Sequence, residues 1–217
     1  MPRSIAALIL VLLPLLAAVP SAAEDKPIAD PPPGQLLIAS AGMRDPRFHQ
    51  SVILLFAHDN RGAFGLIINR PIGERPLASL LTDGERRDGT NRNAAGIAGT
   101  IRIFFGGPVQ PELGFVIHGT DYSRPETLTV GDTAMTANKE ILRDIGQGKG
   151  PARYLFALGY AGWGAGQVEN EFQVNGWIHC QADPALVFGT DPQAKWSAAL
   201  ARLGIGPSGL VSDAGRA

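Results

Sequence analysis

Gly159-Tyr-Ala-Gly-Trp-Gly-Ala-Gly-Gln-Val-Glu-Asn-Glu-Phe-Gln-Val-Asn-Gly-Trp177 is the stretch around which the chain is organised. Ala152 to Leu158 before it is an apolar run of strand length. Gln167 to Asn175 inside it places Val168 and Phe172 one turn apart on a helix face. The expected order is therefore strand, glycine-rich bend, short helix and a strand anchored by Trp177. Four glycines in the eight residues from Gly159 to Gly166 also raise the question of a phosphate cradle, since a helix N-terminus attracts anions. The spacing is wrong for one: a dinucleotide fingerprint begun at Gly162 needs glycine where Gln167 stands. Glu169 and Glu171 would already occupy the positive end of the helix.

Outward from this stretch, apolar runs mark strands at Gln35–Ser40, Ser51–Ala57, Ala63–Asn69, Ile101–Phe105, Gly114–His118, Thr127–Val130 and Ala134–Thr136. His58 to Gly62 links two of them as a hairpin, and their lack of alternation predicts cover on both faces. Pro71 is expected to stop the second of these strands. Gly106-Gly107-Pro108 predicts a second hairpin, from Ile101–Phe105 to Gly114–His118. Helices are expected at Pro76–Leu81, after Asn138 (with Ile141, Leu142 and Ile145 inward) and after the capping residues Asp183 and Asp191. The last carries Trp196, Ala199, Leu200 and Leu203 and stops at Gly204. Thr82 to Thr100, rich in Gly, Asn, Arg and Asp, reads as a mobile excursion. The sum is an α+β (mixed α/β) single domain: a curved mixed β-sheet of hairpins flanked by about four helices.

The first residues read differently. Arg3 precedes Ile5–Val19, a 15-residue apolar run broken only by Pro14, and Ser21-Ala22-Ala23 supplies small residues before Glu24-Asp25. This is the pattern of a signal peptide over residues 1–23, too short for a comfortable span, which predicts export to the periplasm. Residues 24–33 then form a proline-rich tether, 34–206 the folded domain and 207–217 a disordered tail. The mature chain is expected to hold no transmembrane segment.

Loss of Arg3 with that segment leaves 18 basic and 20 acidic residues, a net charge of −2. Nucleic acid is a poor partner for such a surface. Arg86, Arg87 and Arg92 are interleaved with Asp83, Glu85 and Asp88. Cys180 stands alone, so no internal disulfide forms, and its apolar flanks suggest a buried small residue. His49, His58, His118 and His179 lie on separate elements, without metal-ligand spacing. Ser51 with His118 and an Asp, or His58 with Asp59, can be drawn as catalytic sets, but no Gly-x-Ser-x-Gly elbow supports them. Glu112 and Asp121 are no better constrained as acids or bases.

Three motifs in order, Gly62-Ala-Phe-Gly-Leu-Ile-Ile-Asn-Arg-Pro71, Phe105-Gly-Gly-Pro-Val-Gln-Pro111 with Gly114-Phe115, and Leu158-Gly-Tyr-Ala-Gly-Trp-Gly-Ala-Gly-Gln167, resemble the YqgE/AlgH family. Trp177 and Lys195-Trp196 through Ile205 extend the resemblance over about residues 34–206. It implies one domain of coiled mixed sheets with flanking helices. Members are commonly labelled transcriptional regulators, with no established catalytic residues or cofactor. The chain departs from the family's pattern in its signal peptide, which conflicts with direct control of transcription, and in the Thr82–Thr100 segment. The expectation is a non-enzymatic binding or regulatory domain with no cofactor and no metal, acting on a protein or small ligand. Its groove would gather Asn69 and Arg70, Gly106, Gly107 and Pro108, and Gly159, Tyr160, Gly162, Trp163 and Gly164. The alternatives are a periplasmic hydrolase and a cytoplasmic DNA-binding regulator.

Overall fold

A computed structural model describes residues 31–88 and 96–206. Its elements are β1 (Gln35–Ala39), β2 (Val52–Asp59), β3 (Gly62–Ile67), β4 (Pro71–Pro76), α1 (Leu77–Asp88), β5 (Thr100–Phe105) and β6 (Val109–Gly119). They continue with β7 (Leu128–Val130), β8 (Thr133–Thr136), α2 (Glu140–Gly146), β9 (Tyr154–Gly164), α3 (Gln167–Gln173) and β10 (Trp177–Gln181). A π-helical turn at Ala185–Gly189 and α4 (Lys195–Arg202) close the described chain. The expected signal peptide, most of the tether and the tail lie outside the described residues.

The strands form one curled sheet in the order β10-β1-β2-β3-β9-β6-β8-β7, with β5 on β9 and β4 on β5. All pairs are antiparallel except β5 with β9. Curvature and mixed character agree with the reading above. β1 shows why β1 to β3 read as unbroken apolar runs: Leu36 and Ile38 enter a core under α4, and Leu37 and Ala39 enter a second core under α3. Both faces are covered. A third core packs α1 and α2 on β5, β6 and β9 through Leu77, Leu81, Ile103, Ile141 and Phe156.

Three expectations are corrected, and one strand is added. The second hairpin does not exist: β9 lies between β5 and β6, bonded to each, so the turn at Gly106 leads around a third strand. The glycine-rich bend is strand, because β9 runs on to Gly164 and pairs Ala161–Gly164 with Gly62–Gly65 of β3. The second strand does stop before Pro71, at Ile67, and Pro71 then opens β4, an exposed edge strand the sequence did not announce, where a missing N–H does little harm. The helix expected to end at Leu81 continues to Asp88, so the first part of the expected Thr82–Thr100 excursion is helical. Smaller shifts occur at the C-terminal end. Asp191 Oδ1 accepts from Gln193 N at 2.9 Å, but α4 starts only at Lys195, and Leu203 is 37 % exposed. The strands of the first hairpin run through His58 to Asp59, leaving Asn60-Arg61 as the turn.

Candidate functional site

The structure brings the three sequence motifs into contact through their backbones. Phe105 N donates to Arg70 O, Ile67 N to Gly106 O and Gly106 N to Leu158 O, each at 2.8 Å. A Cβ on Gly106 would stand 2.2 Å from Gly159 O, one on Gly107 2.1 Å from the Tyr160 carbonyl carbon, and one on Gly159 2.4 Å from Gly107 O. Real Cβ atoms do not approach so closely, so the space between these segments is filled by main chain. Half-buried Pro108 follows, and Tyr160 packs its ring on Phe64 and Phe115, with centroids 5.0 and 6.1 Å away. Gly162 and Gly164 are exposed, and nothing lies within 4 Å of a Cβ built on Gly164.

The polar groups at this junction are engaged within the chain. Asn69 Oδ1 accepts from Val52 N and its Nδ2 donates to Gln50 O, both at 2.9 Å. Arg70 donates to the carbonyls of Arg47 and His49, and burial pulls its pKa below the usual guanidinium value. Together they fasten the Met43–Gln50 loop over the sheet end. That loop brings Phe48 against Trp163 and Trp177, at 6.3 and 5.6 Å between centroids. Both indole N–H groups donate to one oxygen, Glu171 Oε2, at 3.0 and 2.6 Å. Glu171 thus serves the tryptophans, and Glu169 Oε1 faces His58 Nε2 at 2.9 Å.

Among the described residues, the hydrogen bonds of His58 to Pro31 and Glu169, and of His118 to Gly119 and Thr136, run to partners outside the catalytic sets drawn above. His58 Nδ1 meets Pro31 O at 2.9 Å, and Asp59 pairs with Arg61. His118 is fully buried, with Nδ1 on Gly119 O at 2.7 Å and Nε2 on Thr136 Oγ1 at 2.9 Å. Burial lowers its pKa, and the carbonyl fixes the proton on Nδ1, so Nε2 accepts from the hydroxyl. Ser51 Oγ is buried without a hydrogen-bond partner among the described residues. Cys180 is half-buried against the first core, where burial pushes its thiol pKa up. Among the described residues no three His, Cys, Asp or Glu side chains form a metal-ligand group, and no helix is long and apolar enough to cross a membrane.

Two concavities are lined by residues outside the junction. The first is a cleft of about 660 Å³, and β6 shapes it. Between Val109, opposite Tyr160, and Gly114, opposite Leu158, β6 bulges away from β9. The bulge carries Pro111 and 43 % exposed Leu113 to the cleft wall, facing Leu80, Leu142, Phe156 and Leu158. The Gly106-Gly107-Pro108 turn immediately precedes β6 and this bulge. The second is a pocket of about 440 Å³ between β5, β9 and the segment Phe188–Lys195. Lys195 lines it at only 1 % exposure, its Nζ donating to Val187 O at 2.8 Å and Thr190 O at 3.0 Å. Burial draws the Lys195 pKa down to about 8, against a raising influence from Asp191. None of the ten candidate groove residues lines either concavity. In sequence the bulge is signalled only by Pro111 among exposed polar neighbours, and a lysine opening an amphipathic helix reads as solvated.

The AlgH-like family profile matches residues 36–208. A UPF0301 protein of Methylobacterium nodulans is 45 % identical over 197 residues, covering 89 % of this chain and 93 % of its own. One from Rhodopseudomonas palustris is 45 % identical over 187 residues, covering 85 % and 88 %. Among solved structures, the AlgH protein of Pseudomonas aeruginosa aligns with TM-score 0.65 at 42 % identity, over 85 % of this chain and 95 % of that one. Protein DIP2367 of Corynebacterium diphtheriae aligns with TM-score 0.54 at 20 % identity, over 80 % and 87 %, a likeness of fold.

Proposed function

The chain belongs to the AlgH-like family, and we propose that it is an exported binding or regulatory domain that recognises a protein or small ligand without covalent chemistry. The cleft beside the β6 bulge supports this reading best. Its size is that of ligand sites, its wall is mainly apolar, and a few polar groups stand at its rim, among them Glu112 and Asn138. In this reading the Gly106–Pro108 and Gly159 segments hold the bulge in place from behind, and Asn69 and Arg70 steady the sheet end.

A photo-crosslinking amino acid at Leu113 is expected to give a defined adduct in cells, and one at Val174, 76 % exposed on another face, none. Excess unlabelled domain should compete the adduct away, and a Leu113→Asp domain should not. Equal adducts from both positions, or competition by the Asp variant, would remove the cleft from the reading.

Export rests on Arg3, the Ile5–Val19 run and Ser21-Ala22-Ala23. Mass spectrometry of the fractionated protein is expected to find Glu24 as the first residue, in the periplasm. An intact Met1 in the cytosol would overturn export and reopen a role on DNA.

A further inference from the structure

Lys195 is a buried cation whose charge the described residues leave largely unanswered. An ammonium group has three donors. Two are spent on the Val187 and Thr190 carbonyls, and the third has no partner among the described residues. No carboxylate lies within ion-pair distance of Nζ among those residues. Asp191 acts on Lys195 through space, with one oxygen bonded to Gln193 N. Glu74 on the opposite wall is paired with Arg102 at 3.2 Å. A buried, unmatched charge is costly, and an apolar side chain of similar length would avoid the cost. Capping the two carbonyls explains part of the arrangement, but not a third donor without a partner among the described residues on a lysine that lines a pocket.

The pocket supplies the rest. Thr100, Arg102, Tyr154 and Thr190 bring polar groups to its wall, and Phe104 and Phe188 bring rings. We propose that this pocket binds a small aryl carboxylate, its anionic group on Lys195 Nζ and its ring between the aromatic side chains. One negative charge matches the single ammonium, and Asp191 on the same wall disfavours a second negative charge on the ligand, as in a phosphate dianion. The site is separate from the β6 cleft, with which it shares only Phe156. It therefore stands whether or not the cleft takes a partner.

The probe is benzoate, titrated into the full-length domain by calorimetry and by NMR on the lysine side chains, of which the chain has four. Saturable binding is expected, with the Lys195 signal moving and its pKa rising. The neutral isostere benzamide should bind at least about tenfold more weakly, and so should benzoate to Lys195→Met. In the unaltered protein, affinity should hold below pH 8 and fall by about tenfold per unit above it, as the amine loses its proton. That pH profile and the benzamide comparison remain decisive if the Met variant does not fold. Equal binding of benzamide, tighter binding of inorganic phosphate, a flat pH profile or no saturation at millimolar benzoate would each overturn the proposal.

Discussion

Gly107→Ala is expected to prevent folding or to cost at least about 3 kcal/mol, while Gly164→Ala changes stability by less than about 0.5 kcal/mol. The two glycines lie in motifs that look alike, so the contrast comes from structure. Gly107 holds φ 153°, which disfavours a side chain, and a Cβ there would sit 2.1 Å from the backbone of Tyr160. That neighbour is main chain in the middle of β9 and cannot rotate aside. Relief would require β6 and β9 to separate, losing ladder hydrogen bonds and the contact of Gly106 with Gly159. At Gly164 the same methyl group would meet nothing within 4 Å. Urea titration of both variants decides the matter. A Gly107→Ala loss below about 1 kcal/mol would mean that the backbone contact is looser than described.

Glu171→Leu is expected to be the next most damaging exchange, at about 2–5 kcal/mol, since each buried donor left without an acceptor costs about 1–3 kcal/mol. Trp163 and Trp177 are 6 % and 3 % exposed, and their N–H groups share Glu171 Oε2. Leucine would strand both at once. Glutamine keeps an oxygen in place, so Glu171→Gln should retain most of the stability, with Gln167 turning its amide to suit the new partner. Chemical denaturation followed by tryptophan fluorescence separates the cases. Equal losses for Leu and Gln would show that the carboxylate's charge matters more than its acceptor.

The sheet was legible where burial leaves a mark on composition. Leu36 to Ala39, Val52 to Leu55 and Leu66 to Ile68 are almost wholly excluded from water on both faces, and such runs announce themselves. The β4 strand leaves no mark, because all six of its residues are exposed and two are proline. The β5–β6 hairpin was misread for a different reason. A turn at Gly106 shows that the chain reverses, but cannot show that a strand some fifty residues later will slide between the two arms. The glycines of β9 read as a bend because glycine weakens a strand, yet Gly159 is needed for the close approach of Gly107. Asn69 and Arg70 were recognisable as special positions, but their partners, the carbonyls of residues 47–50, depend on how an irregular loop folds back. Lys195 was hidden altogether, because burial of its amine depends on the π-helical turn and the sheet together.

The shared strand has a consequence for how the domain comes apart. β9 gives its first half to β5 and β6 and its second half to β3, so each side of the curled sheet borrows an edge from the same eleven residues. Neither side is complete alone. Opening β9 would expose unpaired edges on both sides at once, the kind of surface that recruits other chains. The β6 cleft and the lysine pocket both draw part of their walls from the same strand, so both would be disrupted in that single event.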